Sequence, residues 1–232
     1  PNHVETLAEL AGHSRLTGLL LTTAGQTAYE LERPLILCRA AVCFLTGLSL
    51  PDCSGLTVLL PREDAVYLPI YQRALEQTAL WYRSGGDNPL CICGETGCGR
   101  RTLVLRACGG AVCLELMELS GLSLLDRDHL YREAAVLSVL LAAPVCAVNP
   151  NASPELGELR SLCRKFSVPL AVLTDTEPSL TQAVEMIRLP FRLSPRERDG
   201  AWRTFLPQAE PDSLPGGSMS IGAVREIAKL AR

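Results

Sequence analysis

From residue 64 onward the apolar positions fall into a regular rhythm. Leu68, Tyr71, Leu75, Ala79 and Tyr82 recur at helical spacing and predict one inward-facing helix face. Ser84-Gly-Gly-Asp-Asn-Pro89 carries the turn residues that stop it. Residues 90–93 form a short apolar run, predicted to be a strand, that leads straight into a glycine-rich turn. A helix is predicted from 102 to 107, a strand over 111–116, a helix over 130–142 and a strand over 144–148. Ser153-Pro154-Glu155 supplies an N-cap, a proline and an acidic first turn, opening a helix that runs to Lys165. Strands follow at 169–173 and 187–189. Ser194-Pro-Arg-Glu197 reads as a capping box opening a helix over 195–206. Ser220 caps a final helix with Ile221, Val224, Ala228 and Ala231 facing inward. Strands alternate with helices, and the strands are apolar throughout rather than at every second position. That pattern predicts a parallel sheet covered on both faces.

The first sixty residues carry no such rhythm. Segments 4–11, 14–24 and 34–47 read as short helices, with a strand as the alternative over 15–24. Pro51-Asp-Cys-Ser-Gly55 is a turn signal. The chain therefore divides into a mostly helical segment at 1–62, an α/β core at 63–191 and a small helical region at 192–232. Its 232 residues begin at Pro1 rather than methionine, which suggests a piece of a longer protein.

Composition narrows the function classes. Hydrophobic residues make up 47% and charged residues 20%, as in a packed globular protein. A net charge of -3 gives no basic field for nucleic acid, and 5% aromatics leave little for base stacking. The longest uncharged apolar run, 134–148, is too short to span a bilayer and contains Pro144. No secretory leader is visible at the start. Most of the ten cysteines sit inside apolar runs, which points to small buried hydrophobes in a reducing, cytoplasmic compartment. Cys91, Cys93 and Cys98 are close together, but no second cysteine or histidine pair completes a metal site.

The segment that carries chemistry is Gly94-Glu95-Thr96-Gly97-Cys98-Gly99-Arg100-Arg101-Thr102. It follows a predicted strand and opens a predicted helix, the context of a phosphate-binding loop. Glycines let successive N–H groups turn inward, and the helix N-terminus adds partial positive charge. Gly94 and Gly99 have the spacing of G-x-x-x-x-G-K-[ST]. Arg100 stands at the lysine and Arg101 at the Ser/Thr position; an arginine keeps the charge but offers no hydroxyl to magnesium. Thr102 comes one residue late. The strand over 144–148 ends in Val148-Asn149, with no carboxylate to orient metal and water. Glu115 and Glu118, after an earlier strand, are the acids that could stand in. Cys98, inside the loop, is the thiol whose modification is expected to report on the site.

With loop, strand order and tail together, the chain resembles a bacterial AAA+ ATPase module with degenerate Walker motifs, over roughly residues 64–232. It is most similar to a group whose module follows helical and winged-helix segments and whose loop reads GPPGSGKRTLA; here it is GETGCGRRTLV. The resemblance implies a three-layer P-loop sheet flanked by helices with a small helical lid. It implies ATP bound at residues 94–102, with Mg²⁺ less well provided for. By position Thr174 matches a sensor residue after its strand, and Arg225 a second sensor arginine on the lid helix. Ile187 through Arg198 resembles the last core strand passing into the lid. Arg160 and Arg164, on the helix before the sensor strand, could supply an arginine finger, although no motif selects either. Such modules work by self-association or with partner proteins. The expected function is an ATP-binding module with weak or lost hydrolysis in a remodelling or assembly complex. The alternative is an inactive scaffold on the same fold. A phosphotransferase reading has no visible substrate-binding constellation.

Overall fold

The computed structural model describes residues 21–23, 35–46, 55–60, 69–86, 88–149, 154–175, 185–190, 192–208 and 215–231. Its centre is a six-stranded sheet. In chain order the strands are β3 (Leu56–Leu59), β4 (Leu90–Cys93), β5 (Ala111–Glu115), β6 (Val145–Val148), β7 (Leu170–Thr174) and β8 (Glu185–Arg188). Across the sheet they run β3-β5-β6-β7-β4-β8. All pairs are parallel except β3 with β5. Two further short strands, β1 (Leu21–Thr23) and β2 (Leu35–Leu37), pair antiparallel with each other in a separate two-stranded sheet.

Every residue of β4, β6 and β7 is buried, because helices cover both faces. Val112, Leu114, Val145, Ala147, Leu170 and Val172 face α5 (Leu124–Leu141), α6 (Pro154–Phe166) and the buried side of α1 (Arg39–Thr46). Alternate residues, among them Ile92, Cys113, Cys146, Val148 and Leu173, face α2 (Gln72–Arg83), α3 (Arg100–Cys108) and the lid. A short helix, α4 (Leu116–Leu119), follows β5 directly. The lid is α7 (Pro195–Phe205) packed on α8 (Ile221–Leu230). Each fully buried Leu, Ile or Val contributes about 1.5–3 kcal/mol, so this double-sided sheet is the main source of stability. The result is the three-layer α/β arrangement expected from the sequence, with the glycine loop between β4 and α3 and a small helical lid.

Several expectations change in detail. Residues 35–37, expected to be helical, form β2, and the helix begins only at Arg39. The strand alternative for 15–24 holds at Leu21–Thr23. Strand β3 was not expected; it extends the sheet at its far edge. The buried face of α2 and the turn before it is Tyr71, Thr78 and Trp81, with Leu75, Ala79 and Tyr82 half-buried beside it; Leu68 lies outside the described residues. In α8, Val224 and Ala228 are buried as expected and Ile221 half-buried, but Ala231 is exposed because the helix runs out past the core. Ser153 lies outside the described residues. The capping box at Ser194 is complete: its hydroxyl accepts from the Glu197 N–H, and the Glu197 carboxylate accepts from the Ser194 N–H at 2.8 Å. Ser194→Ala is expected to lower stability by about 1 kcal/mol. Urea unfolding and faster amide exchange across 195–205 check it.

Candidate functional site

In open parallel sheets, ligands bind beyond the carboxyl ends of the strands. Here those ends gather Gly94 after β4, Glu115 at the end of β5, Asn149 after β6 and Asp175 after β7. The loop turns sharply because Gly97 and Gly99 adopt φ of 91° and 95°, a region that other residues rarely enter. Gly99 is the N-cap of α3, so the amides of residues 100–102 have no partner within the helix. The other end of the loop is held to the sheet: the Gly94 N–H donates to the Thr174 carbonyl at 3.1 Å.

The lid closes over this loop. The Gly222 N–H donates to the Gly97 carbonyl at 2.9 Å. A Cβ at Gly222 would lie 2.8 Å from that oxygen, so only glycine permits the approach. Ser220, capping α8 by accepting from the Ala223 N–H, sets the helix start against the loop. Between loop, sheet ends and lid lies a cleft of about 540 Å³, lined by Tyr71, the loop residues Thr96, Gly97 and Gly99 through Leu103, Arg106, Asn149, Phe205, Gly222, Arg225 and others. That volume suits a nucleotide-sized ligand.

The two loop arginines are fixed by acids from neighbouring strands. The Arg100 Nη2 is ion-paired with Asp175, and Arg101 with Glu115. The Thr96 hydroxyl lies 3.3 Å from both Asp175 carboxylate oxygens. Arg100 is only 8% exposed, and its Nη1 has no hydrogen-bond partner among the described residues. The Tyr71 hydroxyl and the Asn149 Oδ1 are likewise buried without a partner among the described residues. All three residues line the same cleft. Burial also pushes the Tyr71 hydroxyl well above its ordinary pKa, so it stays protonated and can donate. Leaving such atoms unsatisfied costs about 1–3 kcal/mol each.

The predicted site residues separate into three groups. Gly97, Gly99, Arg100, Arg101, Thr102, Thr96 and Arg225 line the cleft together. Gly94, Glu95 and Thr174 lie beside it rather than in its wall: Thr174 is buried and supplies the carbonyl that holds Gly94. Cys98 points away into the core, fully buried, against the Cβ direction of Gly94. The expectation that this thiol reports on the site is therefore corrected. Burial raises its pKa while the Arg100 charge opposes the rise, so thiolate is scarce and sheltered. In the folded protein a thiol reagent is expected to leave the Cys98 peptide unlabelled by mass mapping; labelling within minutes would contradict this placement. Arg160 and Arg164 line a different hollow, beside Gly86, Pro89 and Leu170, at the amino ends of β4 and β7. Tyr71, Arg106, Asp175 and Gly222 were not anticipated. Asp175 alone had a usable signal, as the carboxylate directly after a buried strand.

An ATPase of this fold places magnesium beside a hydroxyl following the loop cation and a carboxylate on a neighbouring strand. The donors here do not fit. Arg101 takes the hydroxyl position, Asn149 the carboxylate position, and Glu115 is held by Arg101. Among the described residues no group of three His, Cys, Asp or Glu side chains could hold a metal. No step through a divalent cation follows from this site.

No protein-family model and no curated protein matches the sequence. Among solved structures the chain resembles C. elegans PCH-2, at 12% identity over 78% of this chain and 66% of that one, TM-score 0.45. It also resembles the FIGL-1 AAA domain in complex with ADP, at 14% identity over 75% and 69%, TM-score 0.42. A Rhizobiales Trip13 matches at 15% identity over 75% and 96%, TM-score 0.42. Likeness at this distance carries no inference about ligand, activity or partners.

Proposed function

We propose that this chain is a nucleotide-binding P-loop module of the AAA+ type, with hydrolysis weak or lost, acting in a protein-remodelling or assembly complex. The observation that carries nucleotide binding is one cleft beneath a glycine loop, lined by Arg100, Tyr71 and Asn149, each with a buried polar atom that has no partner among the described residues. In this reading the amides at the start of α3, with Arg100 and Arg101, hold the phosphates, and Arg225 reaches them from the lid. Weak hydrolysis follows from Asn149 at the end of its strand and from Glu115, which is engaged by Arg101. Thr174, behind the loop, acts through the position of Gly94.

The inactive scaffold remains a second reading, favoured by one observation. The loop is already latched, through Gly222 to Gly97 and through Arg100 to Asp175. The working unit is proposed to be an assembly, by self-association or with partner proteins, in the cytoplasm. No helix among the described residues is long and apolar enough to cross a membrane.

Melting the protein in the presence of ATP separates the two readings. A binding module gains about 2.7 kcal/mol of stability at one hundred times its Kd, so its melting temperature rises with ATP while phosphate release stays at background. An unchanged melting temperature at millimolar ATP supports the scaffold. Phosphate release that is well above background and lost in Arg100→Ala contradicts both.

A further inference from the structure

The misfit between this site and a divalent cation has a positive side. Four arginines, Arg100, Arg101, Arg106 and Arg225, line one cleft, and among the described residues Glu226 is the one carboxylate residue that lines it with them. The acids that pair with the loop arginines, Asp175 and Glu115, do not line it. They fix the guanidiniums from outside the wall and leave N–H groups for a ligand; Arg100 Nη1 has no partner among the described residues. Arg101 stands where the loop's magnesium-binding hydroxyl would be. Magnesium requires near-octahedral oxygen donors and repels a guanidinium placed among them. A guanidinium at that point gives charge and two parallel donors to phosphate oxygens instead.

We propose that the cleft takes its nucleoside polyphosphate free of metal, with Arg101 in the place of the cation. The inference rests on the nucleotide-binding reading above and adds the form in which the ligand is bound. It accounts for three departures at once: Arg at the hydroxyl position, Asn149 at the strand end and Glu115 locked in an ion pair. With the metal gone, Arg106 and Arg225 add positive charge on the cleft wall beside the two loop arginines. A metal-free polyphosphate also lacks the cation that activates phosphoryl transfer, which agrees with weak turnover.

The test is calorimetric titration of the full chain with ATP, once in EDTA and once in excess Mg²⁺, for the wild type and Arg101→Thr. Arg101 is on the surface side of the cleft, with its side chain 46% exposed, so the variant keeps its fold; an unchanged apo melting curve verifies this. The wild type is expected to bind ATP in EDTA at least as tightly as in Mg²⁺. Arg101→Thr is expected to lose at least ~10-fold in EDTA and to recover part of it in Mg²⁺, because the new hydroxyl and the released Glu115 carboxylate then offer oxygen donors. Wild-type binding that needs Mg²⁺ overturns the proposal while leaving the nucleotide site intact. Metal-free binding that Arg101→Thr does not weaken overturns the role of Arg101. Absence of binding in both buffers overturns this proposal and the nucleotide reading together.

Discussion

Replacing Arg100 with alanine lowers ATP affinity about 30- to 100-fold. Hydrogen bonds to a charged group contribute about 1.5–3 kcal/mol, and about 1.4 kcal/mol is tenfold in affinity. Arg100 sits at the upper end of that range because it lines the cleft, is 8% exposed and has an Nη1 without a partner among the described residues. The apo fold tolerates the change better than the ligand does. Asp175 loses its partner but is 45% exposed at its side chain, so water replaces the guanidinium. Arg100→Lys is the informative companion. It restores the charge, though not the paired donors, and is expected to stay within about tenfold of the wild type. Titration of the three proteins with ATP checks the order. Equal affinity in all three contradicts a phosphate role for this residue.

Gly222→Val has the second large effect, and it acts through the lid. The helix start lies so close to the loop that any Cβ meets the Gly97 backbone, an atom that cannot swing away as a flexible side chain could. Valine forces α8 off the loop and breaks the Gly222 N–H to Gly97 carbonyl bond. Overpacking of this kind costs about 1–3 kcal/mol, read as a lower urea midpoint. ATP affinity falls at least ~10-fold as well, because Arg225 and Phe205 line the cleft from the displaced lid. A variant that binds ATP normally with its lid protected from amide exchange contradicts the latch.

Much of the core was readable because its signals are local. The strand, glycine turn and helix at 90–108 are contiguous, and the Ser194 and Ser220 caps lie within one turn of the helices they start. The wholly apolar strands announce a sheet buried on both faces. The errors have equally physical causes. The Leu-Ile-Leu run at β2 is too short for periodicity to separate strand from helix. Strand β3 is a half-buried edge with no alternation to mark it. The orientation of Cys98 depends on where the loop turns back over the core, which composition does not encode. The site itself was legible only as its loop. Arg100 with Asp175, Arg101 with Glu115 and Gly97 with Gly222 are brought together by strand order and lid docking, and no local pattern joins them.

The central claim is that the cleft between loop and lid is a nucleotide site. A crystal structure of the full chain grown in saturating ATP tests it most directly. The account predicts polyphosphate density against the amides of residues 97–102, within hydrogen-bond reach of Arg100 Nη1 and the Arg101 guanidinium. An empty cleft, with Gly222 still bonded to Gly97 and no phosphate near either arginine, would contradict it.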